Sequence, residues 1–290
     1  GLVRFRIQHI SDPFNETQPL YRTGIAVGDY PIDHHHRKNP EAPQHLGFYP
    51  IPSFSVPLGA LIPAQAHGLV VAEKAISVSN VVNGTTRLQP CVLLIGQAAG
   101  TLAALATKRK DLQAALVPVR TVQRALLTSG AYLMPYADVT PAHPHFMAIQ
   151  RIGATGMLRG KGQPNAWANR TWFYPDSTIA TGQFLSAIPP ALLGIKERDQ
   201  ADPNALLTIE GSLRWLYLLR QRAASFSKNN IPQWDVAKIS ELAQANWKGW
   251  QLNDFSLQRP ITRSELAVLL DSLLDPFSNY PVNHQGVIQL

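Results

Sequence analysis

A chain of 290 residues is long enough for about two domains, and its 45% apolar content can fill ordinary cores, which excludes a disordered or fibrous protein. Cys91 is the only cysteine, so no internal disulfide framework is available. Charged residues at 16%, with 23 prolines and 19 glycines, predict a compact chain rich in turns and loops, and the net charge of +7 is spread along it. The densest basic runs, Lys108-Arg109-Lys110 and residues 214–228, lack a spaced set of stacking aromatics and read as solvated helix faces. Nucleic acid is therefore not an expected partner. No run reaches the ~18–20 consecutive apolar residues that cross a bilayer, so no membrane span is expected.

Residues 1–68 hold short β-type runs at 2–10, 24–27 and 47–51, broken by turn signals such as Ser11-Asp12-Pro13 and Asn39-Pro40. Residues 68–72, a β-branched run ending at Glu73-Lys74, predict a buried strand. From Gln89 to Lys108 small and aliphatic residues occupy every face, which predicts a helix buried between layers, with Pro90 near its start and basic residues at its end. A second helix is expected over 119–129, stopped by Gly130.

Residues 135–144 form a proline-rich joint, and helical patterns follow at 145–155, 181–193, 208–225, 235–245 and 262–274. The last opens on Thr262-Arg263-Ser264-Glu265, a capping box, with Leu266, Leu269, Leu270 and Leu273 as its buried stripe. The expected fold class is α+β: an α/β segment with short strands and a buried helix over 1–134, then a mostly α-helical domain over 135–290.

Two constellations could carry chemistry. Asp33-His34-His35-His36, with His45 beyond, offers imidazole and carboxylate for metal binding or proton transfer. Consecutive side chains on an extended chain point apart, so no metal site is expected, and a polar loop lining a pocket is the better reading. The second runs from Gly84 through Arg87 into Gly96-Gln97-Ala98-Ala99-Gly100. Such small residues let either a strand or a planar ligand approach the backbone closely.

Taken in order, Asp33-His34-His35, residues 55–63, residues 68–72, Ile76-Ser77, Thr86-Arg87 and residues 96–100 resemble the C-terminal end of a flavin-dependent oxidoreductase. The family is the FAD-dependent oxidoreductase group that includes proteins labelled xanthan lyases, and the likeness covers about residues 15–108. It implies a flavoprotein core with FAD as cofactor and hydride transfer to the flavin as the chemistry. Arg87, Gly96, Gln97, Ala98, Ala99 and Gly100 would then lie at the cofactor, with Asp33 and His35 as catalytic candidates. The chain departs from the family at Leu58-Gly59, Glu73-Lys74 and Asn80, where cationic or proton-transferring side chains are usual. No GxGxxG follows a strand, so the resemblance implies a C-terminal part that relies on a nucleotide-binding half outside these residues.

The second half resembles an S-layer homology module at Ala137-Asp138-Val139, at residues 173–179 and at residues 259–266, with Thr208-Ile209-Glu210 as a degraded third copy. That resemblance implies a partner in polysaccharide or the cell envelope and an extracytoplasmic location. Trp167, Trp172, Trp247 and Trp250 are candidates for a surface platform for sugar rings, and Trp215 is expected in the core.

Overall fold

The computed structural model describes residues 1–33, 50–164, 169–189, 192, 193, 198, 201–226 and 232–289. The architecture is α+β, in two compact units. The first holds Gly1–Ala137, Lys161–Trp172 and Pro281–Gln289; the second holds Asp138–Gly160 and Phe173–Tyr280.

In the first unit β1 (Gly24–Gly28) pairs antiparallel with β2 (Phe54–Pro57), with a bulge between Gly24 and Ala26. All four residues of β2 are buried. The unit also holds helices α1 (Gln8–Ser11), α2 (Asn80–Thr86), α3 (Gln89–Ala106) and α4 (Val119–Thr128), with α3 packed on both β1 and α4, and α4 on β1. Gln123 of α4 is fully buried, and its side-chain amide donates to the carbonyls of Arg22 at 3.0 Å and Gly24 at 2.9 Å, fixing the helix to the start of β1. A small hairpin, β3 (Lys161–Gln163) with β4 (Arg170–Trp172), joins this unit, where the Ser53 hydroxyl donates to Thr171 Oγ1 at 2.6 Å.

Three expectations need correction. Residues 68–72 are neither strand nor buried: Val71 makes one backbone bond, to Leu61, and Leu69 is 52% exposed. A β-branched run needs a neighbouring ladder to become a strand, and none lies beside this one. The run at 2–10 is extended only through its first part, with Phe5 in a parallel bridge to Val78, before the chain turns into α1. Finally, α3 forms where expected but is covered on one side only. Cys91, Ile95, Ala98, Ala99, Leu102 and Ala106 are buried, whereas Leu93, Gly96, Gln97, Gly100, Ala103 and Ala104 are exposed. Both sets recur at the three- and four-residue spacing of a helix face. With 18 residues and a mean hydropathy of 1.4, α3 also has the length and composition of a bilayer-crossing helix.

The second unit contains α5 (Phe146–Thr155), α6 (Thr181–Ala187), α7 (Ile209–Phe226), α8 (Val236–Trp247), α9 (Arg263–Leu269), which continues as a π turn over Leu270–Leu274, and α10 (Pro276–Asn279). The segments that lead into α6, α7 and α9 pair with one another in all three combinations: Thr178 with Thr262, Ala180 with Leu206, and Thr208 with Pro260, each antiparallel. This closed triangle buries Ile179, Leu207 and Ile261 at its centre. Thr262 and Glu265 form the expected capping box. Glu265 also takes a two-pronged ion pair from Arg259, at 2.9 and 3.0 Å. Arg263 is buried, donating to the carbonyls of Phe173 and Arg159.

Two tryptophans sit other than expected. Trp247 is buried, its indole N–H bonded to the Asn253 carbonyl and its ring edge-on to Phe255, because its position on α8 faces the core rather than solvent. Trp215 is half-buried. Trp172 and Trp250 are half-buried, and Trp167 lies outside the described residues.

Candidate functional site

The site is built where the loop after β1 meets the end of α2 and the start of α3. Ser79 opens α2, its hydroxyl accepting the Val82 N–H at 3.4 Å. At the far end of that helix the Thr85 hydroxyl donates to the Tyr30 carbonyl, pinning the loop to the helix. Arg87, the C-cap of α2, places Nη2 3.5 Å from Asp33 Oδ2 and 3.3 Å from the Asp33 carbonyl. The Asp33 side chain is 12% exposed and that of Arg87 35%, so one edge of the guanidinium faces solvent while its position is fixed from behind. Half-exposed pairs of this kind contribute about 1 kcal/mol or less, which makes orientation their main effect.

Cys91 lies in the first turn of α3. Burial, with a smaller contribution from the Asp29 carboxylate, pushes its thiol up to about 12, so it is an inert packing group rather than a nucleophile. Beyond it the helix presents its open face. A Cβ added at Gly96 or Gly100 would meet nothing within 4 Å, so neither glycine is needed for packing inside this unit. Gly96 lies about 10 Å along the helix axis from Gln89, at 1.5 Å per residue.

The structure therefore divides the predicted set. Asp33 and Arg87 come together as an ion pair. Gly96, Gln97 and Gly100 lie on the exposed face, and Ala98 and Ala99 are on the opposite, buried side. His35, with the other histidines at 34, 36 and 45, lies outside the described residues. Among the described residues no three His, Cys, Asp or Glu side chains gather in a way that could hold a metal ion. Asp29 and Tyr30, which precede the histidine run, belong to the site as well, and the contact of the Tyr30 carbonyl with a hydroxyl 55 residues away leaves no spacing signal.

Residues 1–126 match the family model of FAD dependent oxidoreductases. Asp33, Arg87 and the whole of α3 fall within the matched span. No curated protein and no solved structure matches the chain. The first unit thus contains an FAD-dependent-oxidoreductase-like segment. Of the positions at which the chain departs from the family it resembles, Gly59 has a local reason. A Cβ at Gly59 would come 2.7 Å from Val3 Cγ2, so the N-terminal segment occupies the space a larger residue would need. Leu58 is fully buried, whereas Asn80 and the Glu73-Lys74 pair are exposed.

Proposed function

We propose that residues 1–126 are the C-terminal part of the core of an FAD-dependent oxidoreductase of the group that includes proteins labelled xanthan lyases. The nucleotide-binding half with its GxGxxG turn would come from chain outside this sequence. The observation that carries the reading is the open face of α3. Glycine in an exposed helix costs roughly 1 kcal/mol relative to alanine, and here two glycines one turn apart have no packing reason within their own unit. Close approach by a flat partner supplies the reason.

FAD, when bound, supplies an acceptor for a hydride. The chain's own residues would shape and charge that acceptor's surroundings. Gly96, Gln97 and Gly100 would offer the wall and Arg87 a positive charge for the site, with Asp33 keeping that guanidinium in one orientation. Asp33 and His35 remain the candidates for contact with substrate. The test is flavin retention by the product of the whole gene after reconstitution with FAD. Retained visible absorbance, weakened by Gly96→Leu with Gly100→Leu and by Arg87→Ala while the fold is kept, is the expected result. A product that stays colourless removes the reading.

A second reading rests on the triangle of paired segments in the second unit. We infer from it, with the Thr208 and Thr262 helix openings, three repeats of an S-layer-homology-like module, which would place the chain outside the cytoplasm and on a wall polysaccharide. Cosedimentation of the chain with purified wall polysaccharide is expected, and its absence would remove this reading alone.

A further inference from the structure

A cleft of about 370 Å³ opens in the first unit, on residues that neither reading above employs. Its wall begins with the extended segment at the N-terminus. Because side chains alternate along such a segment, Phe5 turns inward and is buried, while Arg4 and Arg6 share the outer side and line the cleft. Among the described residues neither guanidinium has a hydrogen bond or an ion pair, and no carboxylate lines the space.

The opposite wall is fixed rather than loose. The turn over Asn283–Val287 presses on Pro19 and Leu20 through Gly286, whose φ is +79° and whose absent Cβ would stand 1.9 Å from the Pro19 carbonyl oxygen. Leu2, Leu20 and Val287 give this part of the cleft an apolar lining. At its floor His9 stacks on Phe5, with ring centres 5.9 Å apart and planes within 4°. Its Nδ1 accepts the Arg6 N–H at 2.9 Å, so the ring proton sits on Nε2 and is donated to Gln18 Oε1 at 2.6 Å. With its carbonyl side satisfied, Gln18 has its amide N–H groups to offer to a ligand.

We propose that this cleft binds a small organic oxyanion, a carboxylate or a phosphate monoester, with its charged head between Arg4 and Arg6 and its apolar part against Leu2, Leu20 and Val287. Two unpartnered guanidiniums two residues apart suit the paired oxygens of such a head. The apolar wall distinguishes an organic anion from a bare inorganic one.

Isothermal titration of the whole chain tests this with phenyl phosphate, benzoate, inorganic phosphate and neutral benzyl alcohol. The expected result is one-to-one binding of phenyl phosphate or benzoate, tighter than inorganic phosphate, with no binding of benzyl alcohol. Whichever of the two aromatic anions binds more tightly assigns the head group. Arg4→Ala with Arg6→Ala should weaken that binding by about tenfold or more, whereas Lys108→Ala with Lys110→Ala removes the same charge elsewhere and should leave it unchanged. No binding of either aromatic anion overturns the proposal. So does an equal loss in both double variants, which would reduce the effect to net charge.

Discussion

Gly286 illustrates how much one missing atom can decide. Its positive φ is a conformation that glycine adopts without cost, and the close Pro19 carbonyl leaves no space for a methyl group. Gly286→Ala should destabilise the chain by about 2–3 kcal/mol, read as a lower urea midpoint. Two carboxyls of the second unit act in opposite directions on its pH response. Burial pushes Asp271 up to about 6, against the opposing pull of Arg151 at 2.5 Å. A raised acid favours the folded state when protonated, so its cost of about 2–3 kcal/mol is present above pH 6 and is relieved as the pH falls toward the ordinary carboxylate value. For Glu265 burial pushes upward too, but the hydrogen bonds from Arg259 and the Thr262 N–H outweigh it and hold the carboxyl low. That contribution is present above the ordinary carboxylate value and is lost as the pH falls through the lowered one. Chemical unfolding followed from pH 7.5 down to 5 should therefore show the native chain gaining stability relative to Asp271→Asn, while His143, whose imidazole burial holds low, acts in the opposite direction in both.

At the scale of elements, α3 is legible as a helix because its Pro90 start and its length are local properties. Which of its sides is covered was not legible. A helix apolar all round carries no periodic signal for the direction of its neighbours, and burial is settled only by what the rest of the chain brings. The same reason defeats the expectation for 68–72, where composition favours a strand but no ladder partner arrives. The Asp33–Arg87 pair was visible as two separate candidates and not as a pair, since 54 residues of separation leave no trace in spacing. Trp247 was placed on the surface because the end of a helix reads as loop-like, yet its ring packs inward on Phe255. The open face of α3 makes a prediction of unusual sign. Gly96→Ala and Gly100→Ala should each stabilise the isolated chain by about 0.5–1 kcal/mol, because helical propensity improves and nothing is displaced. A loss of stability in thermal unfolding would mean that this face is packed after all.

At the scale of the molecule, the returns of Lys161–Trp172 and Pro281–Gln289 to the first unit were beyond sequence reading. Each is too short to announce its membership by composition, and each is held by tertiary bonds, such as the Thr171 hydroxyl pairing with Ser53 and the His284 ring with the Ala115 carbonyl at 2.9 Å. The polypeptide consequently passes between the units four times. That path imposes an order on biosynthesis. A ribosome delivers residues from N- to C-terminus at about 5–20 per second, and the first unit lacks Pro281–Gln289 until those residues emerge. The segments Asp138–Gly160 and Phe173–Tyr280 of the second unit are both complete before that tail appears. Residues 1–137 are thus made before residues 138–280, yet their unit is completed after the second one, and the nascent chain carries an unfinished first unit while the second is made.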